Sequence, residues 1–289
     1  MYEFETFAYL DVEKTASTFI ASVFEQFCTE SEVRKIKHGG LKKGFDRSKF
    51  YFISVRDPLD QYISLYSFGC QGNRQLFERM RNEGLTDLYD GTWPGFGKWL
   101  KHILDPSNSF LFERGYQAVA DWIGYQSYRA IRLAVPNFSA ESKNCYSRKE
   151  IKWLYEGLNV VKYVIRYEHL HEDLCFLLAN RLSYCMRVPE AVAYIRNTSP
   201  INSSQRVDRD MDNPELRAGV RKLLNQREWL LRKVMGYKFP MASGANGKEK
   251  PPGPPVSVVP ADLSGSATLS PDPVPQEIST KRASLVPVC

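Results

Sequence analysis

The chain has 289 residues, of which 43% are hydrophobic and 13% aromatic, and its formal net charge is +6. That length can bury a complete core, and the modest positive charge suits an anionic ligand better than extensive nucleic-acid binding. The six cysteines form no CxxC pair and no metal-like cluster with the four histidines, so we interpret them as reduced core thiols and expect no metal. With no apolar span of membrane length and no signal peptide, the sequence predicts a cytoplasmic protein without a membrane span.

The first thirty residues predict a buried strand, a tight polar loop and an amphipathic helix. The strand is the apolar run Phe7–Leu10, and the helix is indicated by four apolar residues at helical spacing, Ile20, Val23, Phe24 and Phe27. Between them lies the KTAST loop, which consists of Lys14, Thr15, Ala16, Ser17 and Thr18. Because the first N–H groups of a helix are unpaired and the helix dipole is positive there, this loop predicts a phosphate or sulfate site. An ordinary capped helix, with Ser17 or Thr18 as the cap, is the alternative.

A basic stretch separates this helix from the next strand. It contains His38, followed by Gly39 and Gly40, and the lysines at positions 35, 37, 42 and 43. Histidine can act as a general base because its unperturbed pKa is about 6.5, although a solvated loop histidine fits the pattern too. The lysines are equally compatible with guiding an anionic substrate and with a solvated surface.

A second core strand, Phe50–Val55, runs directly into Arg56, Asp57 and Pro58. Proline suits the first position of a helix, and the apolar spacing that follows predicts a helix packed on the sheet. Arg56 closes the strand and Ser64 lies two turns into the helix, so both can face the crevice at the carboxyl ends of the strands, where open α/β sheets bind ligands. A guanidinium and a hydroxyl suit a second phosphate, which predicts a ligand phosphorylated at both ends.

The remaining sequence gives a coarser pattern. Residues 69–110 mix Gly, Asn, Trp and charge, which predicts an excursion over the active-site mouth with short helices at most. We expect helix in 111–135, a third buried strand at 160–165, a helix over 171–186 and a polar loop at 197–207. Trp93, Phe96 and Trp99 could form a sugar-stacking platform or pack in the core.

The C-terminal region predicts one more helix and then a change of character. Asn213 and Pro214 start the helix, which ends at Gly236. From residue 241 onward the sequence holds nine of the seventeen prolines and no Phe, Trp or Tyr. Such a segment buries too little apolar surface to offset its ordering entropy. We therefore expect one domain over 1–240 and a disordered tail over 241–289.

This order of motifs resembles the sulfotransferases that use 3′-phosphoadenosine 5′-phosphosulfate (PAPS). KTAST looks like their 5′-phosphosulfate loop, and VRDPLDQYISLY is similar to their 3′-phosphate motif, with Arg56 and Ser64 at the same eight-residue separation. The wording of both motifs, with a His-Gly step between them, looks closest to carbohydrate 2-O-sulfotransferases of the heparan/uronyl type. YVIRYEHL and the C-terminal helix also resemble the family, so the resemblance covers residues 5–240.

The resemblance implies an α/β fold with a P-loop-like parallel sheet flanked by helices. It implies that PAPS is the co-substrate and that no metal takes part, with a carbohydrate hydroxyl as the favoured acceptor. Lys14 would stabilise the leaving bisphosphate and His38 would be the general base. The donor would be held by the KTAST loop, by Arg56 and Ser64, and by Arg206 if that residue reaches the 3′-phosphate rather than a sulfated glycan.

Three positions depart from the family's pattern. Glu13 replaces the proline before the loop lysine, Gln61 replaces an arginine after the RDP motif, and Gly40 replaces the second histidine of a His-Gly-His step. Glu13 should point away from the anion site or pair with Lys14. Glu168 has either a structural role or a role in placing His38 or the acceptor.

Two rival functions stay open at this point. A nucleotide-type kinase shares strand–loop–helix phosphate sites, but GxxxxGK[ST] and a Mg²⁺-binding aspartate are not apparent. The second rival is a protein of the same fold that binds an anionic glycan or partner without turnover.

Overall fold

The computed structural model describes residues 1–42, 44–72, 75–198 and 214–233. Arg206 and most of the loop predicted at 197–207 lie outside these residues, as do Lys43, the predicted helix start at Asn213 and the segment 234–289 that contains the predicted tail. No helix within the described ranges is long and apolar enough to cross a membrane.

Five strands form one sheet at the centre of the fold. In chain order they are β1 (Tyr2–Glu3), β2 (Phe7–Leu10), β3 (Arg34–Lys35), β4 (Phe50–Val55) and β5 (Val161–Arg166), and in space they run β3-β1-β2-β4-β5. The pairs β2–β4 and β4–β5 are parallel, whereas β1 is antiparallel to both β2 and β3. The predicted parallel sheet is therefore the centre of a mixed sheet.

Helices account for most of the remaining described chain. Their bounds are α1 Ser17–Phe27, α2 Pro58–Cys70, α3 Gln75–Asn82, α4 Trp93–Leu104, α5 Arg114–Gln117, α6 Tyr125–Ala134, α7 Phe138–Glu141, α8 Arg148–Leu158, α9 Leu170–Asn180, α10 Val188–Asn197, α11 Pro214–Arg227 and α12 Trp229–Lys233.

The sheet is covered on both faces, which explains why its central strands are apolar throughout. Along β2, Phe7 and Tyr9 point to one face, where they pack with the apolar sides of α1, α9 and α10. Ala8 and Leu10 point to the other face, where residues of α2, α4, α6, α11 and α12 form the larger core. The predicted α/β class is confirmed.

The prediction for residues 69–110 was wrong about α4. This helix has 12 residues and buries Trp93, Phe96 and Trp99 in the larger core, so these aromatic residues pack in the interior and form no exposed sugar platform. Proline and two glycines in its first turns weaken the helical pattern, but Gly97 allows close packing, since a Cβ there would lie 2.8 Å from Leu216 Cδ1. Tertiary packing outweighs the poor local propensity.

Other predicted bounds also need correction. The helix predicted over 171–186 ends at Asn180, and α10 follows as a separate helix. The third strand begins and ends one residue later than predicted. The predicted C-terminal helix is interrupted at Glu228, between α11 and α12. The short strands β1 and β3 were missed because two residues cannot show a periodic pattern.

The cysteines were predicted to be core thiols, and the structure bears this out in part. Cys145 and Cys185 are buried and Cys28 and Cys175 are half-buried, whereas Cys70 is exposed. All five are free thiols in the described part of the chain.

Candidate active site

The KTAST loop connects the carboxyl end of β2 to the start of α1. Lys14 and Ala16 both have left-handed backbone conformations, with φ of 66° and 65°. Such conformations are strained for residues other than glycine and concentrate at ligand-binding turns. Ala16 is the N-cap of α1 and provides no side-chain cap. The alternation of backbone conformation along the loop and the uncapped helix start together form a concavity of the kind that binds anions through N–H groups.

A buried hydroxyl network supports this loop from below. Thr15 Oγ1 donates to the carbonyl oxygen of Val12 at 2.7 Å and lies 2.6 Å from Ser54 Oγ, which in turn lies 2.6 Å from the hydroxyl of Tyr9. All three hydroxyl-bearing residues are fully buried. The Thr15 side chain therefore ties the loop to β4, and only the backbone of Thr15 is left to contact a ligand.

The two predicted anion motifs meet at Lys14 and Arg56. Arg56 Nη1 donates to the carbonyl oxygen of Lys14 at 3.3 Å, and its guanidinium lies 4.1 Å from the centre of the Tyr167 ring. Burial lowers the pKa of Lys14, and the positive charge of Arg56 lowers it further. Arg56 is only 7% exposed, and its Nε has no hydrogen-bond partner in the described part of the chain. Arg56 is buried and the neighbouring Lys14 is half-buried, so an anion bound here would offset two positive charges and could accept from the unpaired Arg56 Nε.

Asp57 and Glu168 fix the segment that carries Arg56. The carboxylate of Asp57 caps α2 by accepting hydrogen bonds from the backbone of Leu59 at 2.7 Å and of Asp60 at 3.4 Å. Glu168 Oε1 accepts from the backbone nitrogen of Asp57 at 2.9 Å, which joins the end of β5 to this turn. The structural role considered for Glu168 is thus the one that the structure describes.

Ser64 lies on the second turn of α2 and is half-buried. Because β2 and β4 are parallel neighbours, the helices that follow them begin at the same edge of the sheet. The KTAST loop, Arg56 and Ser64 therefore belong to one edge. Within the loop, Ser17 is buried at the start of α1 and Thr18 is exposed.

Glu13 and Gln61, two of the residues that depart from the family's pattern, are in contact. Glu13 forms an ion pair with Arg129 of α6, and its carbonyl oxygen accepts a hydrogen bond of 2.8 Å from Gln61 Nε2. The carboxylate next to Lys14 is therefore paired with Arg129, not with Lys14 as one expectation had it. Gln61 occupies the place of the family's arginine and holds the backbone that leads into the loop.

His38 is held against the end of β2 by Asp11. Its backbone nitrogen lies 3.0 Å from both carboxylate oxygens of Asp11, and Nδ1 lies 2.9 Å from the Asp11 carbonyl oxygen. Arg132 of α6 donates to the carbonyl oxygen of His38 at 3.0 Å. Because Asp11 precedes Lys14 by three residues, these contacts bring His38 to the sheet edge that carries the loop. A Cβ at Gly40 would lie 2.9 Å from the carbonyl oxygen of Arg132, so a second histidine does not fit there.

Sequence reasoning missed the residues that support this site. Asp11, Arg129 and Arg132 were given no role, and Ser54 was read only as part of a strand. A carboxylate directly after a buried strand is a signal that could have pointed to Asp11. The two arginines share one side of α6 at a spacing of three residues, but no local pattern shows what they contact.

The lysines around His38 differ in their surroundings. Lys35 forms an ion pair of 2.6 Å with Glu25 on the side of α1, away from the loop. Lys37 and Lys42 are exposed.

These features define an α/β protein with a candidate anion site at the carboxyl ends of two parallel strands and with a histidine that Asp11 holds at the same edge. The model of the sulfotransferase family matches residues 1–228. Since this match covers most of the chain, the protein belongs to the sulfotransferase family and is a transferase. Searches of curated proteins and of solved structures gave no significant match.

Proposed function

We propose that the protein transfers a sulfuryl group from PAPS to a hydroxyl of an oligo- or polysaccharide. The observation that carries this proposal is the buried, under-bonded Arg56 guanidinium beside Lys14 at the start of α1. The donor carries anionic groups at both ends of its nucleoside, which suits two cationic subsites at one sheet edge. The family match supports the same donor.

We assign different residues at this edge to the two anionic ends of the donor. The N–H groups of the KTAST loop and the ammonium of Lys14 would hold the 5′-phosphosulfate. Arg56, whose Nε has no partner among the described residues, and Ser64 would hold the 3′-phosphate. Arg206 belongs to this proposal as a further 3′-phosphate contact.

The reaction is a displacement at sulfur. A bond forms between the acceptor oxygen and sulfur while the bond from sulfur to the 5′-phosphate oxygen breaks. Lys14 and the loop N–H groups stabilise the negative charge that grows on that phosphate oxygen. His38 accepts the proton that the acceptor hydroxyl loses.

The proposal of a carbohydrate acceptor rests on the amino-acid sequences of the KTAST, RDP and His-Gly motifs. The exposed Lys37 and Lys42 lie on either side of His38 in the sequence and would favour a polyanionic chain. The cytoplasmic location stays a prediction of the sequence.

The donor is tested by thermal unfolding with adenosine 3′,5′-bisphosphate and, separately, with ATP and Mg²⁺. We expect the bisphosphate, at about 100 times its Kd, to raise Tm by roughly 5 °C or more. Arg56→Gln should weaken its binding about 10- to 100-fold, because a charged hydrogen-bond donor is lost. Arg81→Gln, which changes an exposed arginine paired with Glu78, is the matched control. Stabilisation by ATP and Mg²⁺ alone would refute the proposal and favour a kinase.

Turnover is tested by transfer of labelled sulfate from PAPS to a panel of polysaccharides and small alcohols. We expect transfer to polysaccharides, and His38→Ala should slow it about 10²- to 10⁴-fold while sparing bisphosphate binding. Binding of the bisphosphate without transfer to any acceptor would instead support the non-catalytic alternative. Transfer that survives His38→Ala at the normal rate would remove His38 from the mechanism.

A further inference from the structure

The hydrogen-bond partners of the His38 ring determine where its proton lies. Nδ1 is 2.9 Å from the carbonyl oxygen of Asp11 and 3.1 Å from its carboxylate oxygen Oδ2. A carbonyl oxygen and an ionised carboxylate can only accept hydrogen bonds. Nδ1 must therefore carry hydrogen to make either contact. A neutral imidazole has one N–H group, so Nε2 is left with a free lone pair.

The surroundings of Asp11 keep its carboxylate ionised, so that it can only accept hydrogen bonds. Its side chain is fully buried, and its oxygens accept from the backbone nitrogen of His38 and from the amino group of Met1. Burial by itself would raise the pKa of Asp11, but the hydrogen bonds from His38 and Met1 outweigh burial and hold the pKa below its usual value. The carboxylate is therefore ionised throughout the pH range in which histidine titrates.

The same contacts hold the histidine in a strained position. His38 has a left-handed backbone with φ of 55°, which is unfavourable for a residue with a Cβ. The backbone bonds to Asp11 on one side and to Arg132 on the other stabilise this conformation. The side chain is 25% exposed while Asp11 is fully buried, so the ring has one edge against the protein and another toward solvent.

We infer that Asp11 is a positioning residue, which fixes the Nδ1-protonated tautomer of His38 and directs Nε2 toward the acceptor hydroxyl. Among the described residues, the Asp11 carboxylate contacts the ring, the Met1 amino group contacts that carboxylate, and the guanidinium of Arg132 contacts the backbone carbonyl oxygen of His38. The catalytic part of this inference rests on the proposed sulfuryl transfer, whereas the tautomer does not.

The test is ¹⁵N NMR of the histidine side chains at a pH where His38 is neutral, with the His38→Gln spectrum used for assignment. In the wild type we expect Nδ1 of His38 to carry the proton. Asp11→Asn keeps the backbone carbonyl acceptor but replaces the carboxylate with an amide, whose N–H groups can donate to an unprotonated Nδ1. We therefore expect a larger Nε2-protonated fraction and transfer slowed about 10- to 100-fold, with bisphosphate affinity unchanged. Asp46→Asn is the matched control, because in the described part of the chain that exposed carboxylate accepts hydrogen bonds from Ser48 alone.

The outcomes separate the two ideas. A wild-type His38 protonated at Nε2 overturns the inference even if Asp11→Asn fails to fold. A folded Asp11→Asn protein with the wild-type tautomer ratio and rate overturns it as well. If no acceptor is sulfated, the proposed function fails while the wild-type tautomer still decides whether Asp11 sets the proton on His38.

Discussion

Glu13 places a negative charge one residue before the lysine that is proposed to bind an anion. At the residue scale, this conflict is resolved by Arg129, which is almost as buried as Glu13 and neutralises it. Ion pairs of this kind often add little net stability, but breaking one by removing a single partner leaves an uncompensated buried charge. The pair thus makes the loop dependent on a residue of α6.

We predict that Arg129→Ala destabilises the protein by about 3 kcal/mol and weakens adenosine 3′,5′-bisphosphate binding at pH 7. The physical reason is that the Glu13 carboxylate, which is only 10% exposed, loses the positive charge of the Arg129 guanidinium. Chemical denaturation and calorimetric titration measure the two effects.

The double variant Glu13→Gln/Arg129→Ala is the control, since it removes both charges. It should recover most of the binding, with a coupling energy of about 1 kcal/mol or more between the two sites. Additive effects of the two substitutions would show that the pair does not act as a unit.

At the element scale, local pattern was sufficient for the strands and helices that build the site. β2, β4, α1 and α2 have continuous apolar runs or regular helical spacing, and the KTAST and RDP motifs lie between them. The contacts that complete the site join distant parts of the chain, as the Glu13–Arg129 and Asp11–His38 pairs do. The Glu13–Arg129 pair depends on the packing of α6 against the sheet, and the Asp11–His38 pair depends on the path of the chain between α1 and β4. No local pattern records either one. The helix α4 was missed for a similar reason, since its buried aromatic residues outweigh a start rich in glycine and proline.

The stability that Asp57 contributes at the start of α2 should depend on pH. Burial raises the pKa of Asp57 to about 6, and the charges of Asp60 and Glu168 add to the rise against the hydrogen bond from Leu59. A carboxyl whose pKa is higher in the folded than in the unfolded protein favours folding when protonated. The stability that it contributes is therefore complete below pH 3.8 and is lost as the pH rises through about 6.

We predict that Asp57→Asn is more stable than the wild type at pH 7, by about 1–2 kcal/mol after allowance for partial solvent screening. Asparagine caps a helix about as well as aspartate, so the substitution removes the charge while keeping the cap. Urea denaturation between pH 4 and pH 7 is the measurement. The advantage of the variant should grow with pH, and a constant difference across this range would contradict the assignment to Asp57.

At the scale of the whole molecule, the break between α11 and α12 connects the C-terminal helices to the site. Glu228 is fully buried and accepts hydrogen bonds at the start of α6 from the backbone of Gln126 and Ser127, and from the hydroxyls of Ser127 and Tyr62. The neighbouring Arg227 donates to the carbonyl oxygens of Asp121 and Ile123 just before the same helix. Since α6 carries both Arg129, which pairs with Glu13, and Arg132, which contacts His38, α11 and α12 are connected to the loop and the histidine through α6.

Glu228→Gln is predicted to lower the free energy of unfolding by about 2–4 kcal/mol. Its amide would place an N–H group where an acceptor oxygen now lies. The hydroxyls of Tyr62 and Ser127 can accept from it, but either the backbone N–H of Ser127 or the hydroxyl hydrogen of Tyr62 would then lose its acceptor. Glu156→Gln, which changes an exposed glutamate paired with Lys152, should have little effect and is the matched control. Because α6 carries Arg129 and Arg132, Glu228→Gln should also weaken bisphosphate binding at temperatures and denaturant concentrations where the variant is still folded. Glu228 itself is not one of the proposed ligand contacts. Unfolding curves together with titration of the folded variant decide this, and unchanged affinity would show that α6 holds the site without help from the C-terminal helices.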